Sequence, residues 1–226
     1  MKAAVVGAGY AGLAVAWNLL QKQIDVTVFD GGEGASHAST GLLHPYPGKK
    51  ATPTWRAQEG MQASLALLEM ASQDRPVFVK NGILRFASTD EQRKQFGGES
   101  LLIPEGITVF SKMYLEELKK TCRKARFEKQ WVRHLAELDG FDCIVLTTGA
   151  ESLQWAELPL KRTIGQCLLC RCKEPLSMSL LSSAHITPTP DPEFCFVGST
   201  YEYTEKPDPK KALALLEKAA GCNRQF

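Results

Sequence analysis

Three glycines and one carboxylate carry the clearest chemistry in this 226-residue sequence. Gly7-x-Gly9-x-x-Gly12 follows a short apolar run, residues 3–6, and Asp30 closes a second β-like run, residues 26–29. Gly7 permits a tight turn out of a strand. Gly9 lets backbone approach a pyrophosphate with no Cβ in the way, and Gly12 lets a helix pack close to the strand. A helix that starts in this turn offers unpaired N–H groups and partial positive charge to an anion. A carboxylate at Asp30 has the reach to accept from a ribose hydroxyl. Such a set binds a dinucleotide. Glycines alone also serve ordinary turns, so the reading depends on the elements around them.

Those elements are in place. Leu13, Ala16, Trp17 and Leu20 recur at helical spacing directly after the glycines. The order is strand, glycine turn, helix, strand, acid, which is that of a dinucleotide-binding βαβ unit. Ala8, Tyr10 and Ala11 fall inside the turn and count with it as cofactor-binding candidates. ADP-containing cofactors share this site, so the unit by itself does not separate FAD from NAD(P).

Composition sets the outer bounds. The length suffices for one substantial core or two small ones, and 44% hydrophobic residues is ordinary for a soluble chain. A formal net charge of +2 is too small to imply nucleic acid or an anionic membrane as the main partner. The seven cysteines (122, 143, 167, 170, 172, 195 and 222) are odd in number and irregularly spaced. They read as reduced thiols of a cytoplasmic protein. The N-terminal apolar stretch is the glycine-turn strand and helix, not an export signal, and no run approaches the roughly 18 apolar residues of a membrane helix.

Residues 31–48 form a long aperiodic loop rich in small residues, suited to backbone lying against a ligand. A helix is expected over 54–72, with Met61, Ser64, Leu65 and Leu68 on one face. Two β-like pieces, 77–79 and 83–86, flank Asn81-Gly82, a hairpin signal. A short helix within 89–99, extended chain around Pro104-Glu105-Gly106, and a helix capped by Ser111 and running to 124 come next. The basic residues about that helix's end read as a solvated face. Residues 141–150 read as a buried strand ending in small residues. Beyond Pro159, short strands at 166–172, 184–187 and 194–203 suggest an antiparallel sheet. A last helix starts at Asp208 with Pro209 in its first position and stops at Gly221, with Ala212, Leu215, Leu216 and Ala219 on its apolar face. Cys167-x-x-Cys170-x-Cys172 lacks a second ligand pair for zinc and sits in a strand-like run, not at a helix start where a redox pair belongs. No metal site is expected.

Several separated pieces then resemble one family. Gly7-x-Gly9-x-x-Gly12, Ala35-Ser36 leading to Gly41-Leu42-Leu43-His44-Pro45, Gly82-Ile83-Leu84-Arg85, and Tyr114-Leu115 are the first. Thr147-Thr148-Gly149, Gly165-Gln166, and Val197-Gly198-Ser199-Thr200-Tyr201-Glu202 complete the set. In this order they resemble the FAD-dependent oxidoreductases of the D-amino-acid-oxidase family. The likeness is greatest to its glycine-oxidase-like members and to the oxidase domain of the bifunctional enzyme that modifies the tRNA wobble uridine.

The resemblance implies an α/β fold: a Rossmann-like FAD-binding lobe (1–75 and 111–155) interleaved with a β-rich substrate lobe (76–110 and 156–226). It places Gly7, Gly9, Gly12 and Ser36 at the FAD phosphates and Asp30 at the adenosine ribose. Val132 would lie by the adenine, Thr148 and Gly149 over the cofactor, and Gly41, Leu42 and Leu43 at the flavin ring. The implied reaction is oxidation of a C–N bond in a small amine, an amino acid or an amine-bearing modified nucleoside of tRNA, by hydride transfer to the flavin. His44, Tyr201 and Glu202 are the candidate catalytic side chains. Family members continue past the point where this sequence stops, with an arginine for the substrate carboxylate and a late glycine-rich loop. The chain is therefore expected to be a truncated member, or a first part whose remainder is encoded elsewhere, with a partner or oligomer covering the open edge. Two rival readings are a non-catalytic dinucleotide- or partner-binding homologue and an NAD(P)-dependent dehydrogenase, the latter disfavoured by the long loop at 31–48.

Overall fold

The computed structural model describes residues 1–32, 34–48, 50–204 and 206–223. The chain begins with β1 (Lys2–Val6), α1 (Tyr10–Gln21), β2 (Asp25–Phe29) and the one-turn α2 (Ala35–Ala38). Next come β3 (Leu42–Leu43), α3 (Ala57–Ala71), β4 (Phe78–Val79), β5 (Ile83–Phe86), α4 (Asp90–Phe96), β6 (Ser100–Ile103) and β7 (Ile107–Val109). They are followed by α5 (Ser111–Thr121), β8 (Arg126–Glu128) and β9 (Cys143–Leu146), with 3-10 turns at Leu135–Leu138 and Gly149–Gln154. The last elements are β10 (Leu168–Arg171), β11 (Ser179–Leu181), β12 (His185–Pro188), β13 (Phe194–Gly198) and α6 (Pro209–Asn223).

The chain divides into two compact units: Met1–Ser39 with Leu67–Arg75 and Ser111–Arg162, and Thr40–Ala66 with Pro76–Phe110 and Thr163–Phe226. This differs from the boundaries expected from sequence, which kept residues 40–66 with the first lobe. The reason is β3, whose Leu42 and Leu43 pair with Thr108 and Ile107 of β7, a strand of the second unit.

The first unit is a parallel sheet in the order β8-β2-β1-β9, a Rossmann-type arrangement. The apolar residues of β1 and β2 (Ala3, Ala4, Val5, Val26, Val28) are fully buried, as central strands covered on both faces must be. Ala4, Val6 and Phe29 form a core with Val132 and Leu138, joined by Phe141, Ile144 and Trp155. Phe29 and Phe141 meet edge to face at 5.7 Å. The strand expected over 141–150 is shorter and less buried than the sequence suggests. β9 is an outer strand, and its Cys143 and Leu146 are exposed. Ser111 is the first residue of α5 and not its cap, and its buried hydroxyl has no hydrogen-bond partner among the described residues.

The second unit holds a six-stranded sheet, β10-β13-β12-β11-β5-β6, and a three-stranded one, β3-β7-β4. The larger sheet is antiparallel except for the parallel pair β11–β5. The expected β4–β5 hairpin does not form. β4 pairs with β7, while β5 pairs with β6 and β11. Asn81-Gly82 is instead a corner between sheets: Gly82 takes φ +73° and donates to Gly106 O at 3.0 Å, and Asn81 Oδ1 accepts from Thr108 Oγ1 at 2.9 Å. The same left-handed conformation that favours glycine in a hairpin serves a corner equally well. α6 begins at Pro209 as expected, with Asp208 Oδ1 accepting from Lys210 N at 3.0 Å. Ala212 and Leu215 are buried, Leu216 is exposed, and Gly221 lies within the helix instead of ending it. Leu215 packs on Leu180, Ile186, Cys195 and Val197, with Cys170 and Cys172 at the margin of that core.

Candidate functional site

β1 and α1 are joined by backbone with no room for side chains. Gly7 has φ +103°, and its N–H donates to Phe29 O at 2.7 Å. A Cβ on Gly7 would stand 2.6 Å from Thr147 O, and one on Gly12 would stand 1.8 Å from Gly7 O. Both spaces are therefore part of the turn's construction. Thr147, directly after β9, braces it: its Oγ1 donates to Val6 O at 2.8 Å and is 3.0 Å from Gly7 O. α1 starts at Tyr10 from an extended Gly9 that has no side chain to cap it, and a helix start of this kind carries the partial positive charge that an anion site uses.

Asp30 and Ser36 complete the turn. Asp30 Oδ1 accepts from Ala8 N at 3.1 Å, and Ser36 Oγ accepts from Tyr10 N at 3.4 Å. With Oδ1 so held, Oδ2 is the oxygen that can accept from a ribose hydroxyl. Beside these residues lies a cavity of about 310 Å³ lined by Gly7, Ala8, Gly9, Asp30, Ser36, Val132, Thr148 and Gly149, together with Gly31, Gly32, His37, Trp131, Thr147 and Gln154. Its size is at the lower end of small-molecule sites. A donor-rich turn at a helix start, a carboxylate at the end of the next strand and an apolar wall fit the nucleotide part of a dinucleotide.

Of the sequence candidates, eight thus share one cavity. Tyr10, Ala11 and Gly12 form the first turn of α1 and do not line it; the Tyr10 ring packs 5.8 Å from that of Tyr114. Gly41, Leu42 and Leu43 belong to the second unit, where Gly41 O accepts from Val109 N at 2.7 Å. Thr147 enters the sequence reading only as part of the Thr147-Thr148-Gly149 segment, and its brace on the turn is visible only in the structure. Trp131, Gln154 and His37 carry no local signal at all.

The second unit separates the three catalytic candidates. Glu202 is 1% exposed. Its carboxylate accepts from Gln166 Nε2 and Thr200 Oγ1, each at 2.7 Å, and from Asp208 N at 3.1 Å, with Lys211 Nζ 3.7 Å away. The Thr200 and Gln166 hydrogen bonds, ahead of the others, hold it below the usual carboxylate range. It is an internal tie between 164–166 and the start of α6. Tyr201 points away, 71% exposed and edge to face with Tyr203. His44 is half-buried, and its Nδ1 accepts from Tyr46 N at 3.2 Å. Burial first, then the Arg85 and His185 charges, lower its pKa, so the ring is neutral at pH 7. Arg85 is 7% exposed and donates to Tyr46 O at 3.1 Å and Gly48 O at 2.8 Å, clamping the loop that carries His44. Because Nδ1 accepts from Tyr46 N, the neutral ring of His44 carries its hydrogen on Nε2, which can donate.

Comparison with known proteins bears on the family and the fold. Residues 2–131 match the model of a family described as FAD dependent oxidoreductase, DAO. No curated relative matches the chain in sequence. Among solved structures, the chain is similar to glycine oxidase from Geobacillus kaustophilus, with TM-score 0.81, 18% identity, and 97% of this chain and 77% of that one covered. It is also similar to iminodiacetate oxidase from Chelativorans sp. BNC1 (TM-score 0.75, 16% identity, 97% and 78% covered). A third is L-proline dehydrogenase from P. horikoshii (0.72, 15%, 96% and 76%). No helix among the described residues is long and apolar enough to cross a membrane.

Proposed function

The chain belongs to the DAO family of FAD-dependent oxidoreductases, and on that premise we propose that it oxidises the C–N bond of a small amine or amino acid. FAD is the cofactor, which removes the NAD(P)-dependent dehydrogenase reading. The observation that carries the proposal is the glycine-turn cavity, built from residues inside the matched segment and from Val132 to Gly149 just after it.

In this reading the start of α1 and Ser36 hold the pyrophosphate, and Asp30 Oδ2 accepts from the adenosine ribose. Val132 contributes the buried apolar wall, and Thr148 and Gly149 close the cavity's other side. Thr147 keeps the turn open by tying β9 to the carbonyls of Val6 and Gly7. When bound, FAD supplies a two-electron acceptor for the hydride lost from the carbon beside the amine nitrogen. An amine must reach that step uncharged, which requires a proton acceptor. With Nδ1 accepting from Tyr46 N–H, the neutral His44 ring carries its hydrogen on Nε2 and can donate there but cannot take that proton, so none of the three candidates is assigned as the acceptor. Glu202 supports α6, and Tyr201 lies on the surface; neither is assigned to chemistry. The solved neighbours named for glycine, iminodiacetate and L-proline suggest a small amino-acid-like amine as substrate.

The test is anaerobic spectroscopy of the FAD-loaded chain. Glycine, iminodiacetate and L-proline, then a panel of other primary and secondary amines, are added in turn. Loss of the flavin band at about 450 nm with at least one amine is the expected result. A chain that binds FAD but is bleached by none of the panel would be a non-catalytic dinucleotide-binding homologue, and the oxidoreductase proposal would fall.

A further inference from the structure

We propose that Trp131 is the stacking surface for the adenine base, so that this chain holds a purine at the end of its cavity beyond Asp30. The inference rests on the dinucleotide reading above and deepens it. The site has a direction: phosphates belong at the start of α1, and ribose at Asp30 at the end of β2. The base must then lie past Asp30, away from the glycine turn. The cavity wall there is Gly31, Gly32, Trp131 and Val132.

Two observations single out Trp131 on that wall. Its ring lies against the backbone that follows Asp30, so close that a Cβ on Gly31 would be 2.0 Å from Trp131 Cε3. Yet the side chain is 52% exposed, while Val132 next to it is 3% exposed and belongs to the core. A large aromatic ring is thus placed by a residue with no side chain and left open toward the cavity. An indole carries apolar area that gains from being covered, and every purine presents a π face that stacks on such a ring. Stacking is tolerant of which base it meets, so Trp131 supplies affinity for a flat base while Asp30 and the glycine turn supply the register.

The experiment is calorimetric titration of the full chain with ADP, after dialysis against bromide to remove any copurified flavin. Trp131→Ala is expected to weaken ADP by about fivefold to a hundredfold, and Trp131→Phe to stay within about threefold of wild type. Gly31→Ala, which pushes the ring from its place, is expected to weaken ADP without changing residue 131. Melting curves accompany each titration. Trp131→Ala binding ADP as wild type does would overturn the proposal. So would equal losses in the Ala and Phe variants with lowered melting temperatures, since that pattern marks a structural role. A folded wild type that binds neither ADP nor FAD would instead overturn the dinucleotide reading itself.

Discussion

The glycine turn of the first unit and the Glu202 network of the second are built by opposite means. Around Gly7 and Gly12 the structure works by omission: the positions where side chains would stand are filled by Thr147 O and Gly7 O. Around Glu202 it works by addition: one buried carboxylate gathers a hydroxyl, a side-chain amide and a backbone N–H. The first arrangement leaves donors and space for a ligand. The second uses its polar groups on itself, which stabilises the fold and leaves nothing for chemistry. A buried acid near a recognisable motif is thus a poor catalytic candidate until its partners are counted.

The largest effect is expected where omission is undone. Gly12→Ala puts a methyl into Gly7 O, and FAD binding should weaken by about 3 kcal/mol, roughly a hundredfold, as read by quenching of flavin fluorescence. If binding survives, the turn does not have the role given to it.

The same contrast governs what is legible in the sequence. A site made of missing side chains must be written in glycine, and glycine at fixed spacing is visible, so Gly7, Ala8, Gly9 and Asp30 can be named from the motif, whereas Ser36, Val132, Thr148 and Gly149 are named only through the family resemblance. The carboxylate network is assembled from 164–166, 200–202 and 208–211, segments joined only by folding. No local spacing announces such a set. Asn81-Gly82 shows the limit of local signals in another way: the dipeptide specifies a left-handed turn, but which strand its neighbours join is decided by pairing with β7, β6 and β11. Trp131 is silent for the same reason, because its neighbour Gly31 lies 100 positions away in sequence.

Next in size is loss of the Glu202 tie. Glu202→Ala should lower the melting temperature by about 5–10 °C, measured by circular dichroism. Its carboxyl titrates below the ordinary range when folded. The stabilisation is therefore complete above the unfolded-state pKa and is lost as pH falls through the folded value. Wild type should lose stability below about pH 4 more steeply than Glu202→Gln. Parallel curves would mean the carboxylate's charge contributes nothing.

Arg85→Lys should cost about 2 kcal/mol, because an ammonium cannot span the Tyr46 and Gly48 carbonyls as the guanidinium does. Hydrogen exchange at the amides of His44, Tyr46 and Gly48 should quicken, and unchanged exchange would deny the clamp. The smallest effect is expected for Thr147→Val, which removes one hydroxyl from the Val6 and Gly7 carbonyls. It should cost about 1 kcal/mol of stability in denaturant unfolding and weaken FAD only severalfold, well short of Gly12→Ala.

If the first unit's cavity holds the nucleotide part of FAD, that binding must be visible without any substrate. Titrating the purified chain with FAD, with ADP as competitor, tests this most directly through flavin fluorescence. Saturable one-to-one binding that ADP displaces is the expected result. A folded chain that leaves FAD fluorescence unchanged, or that binds FAD and is indifferent to ADP, would contradict it.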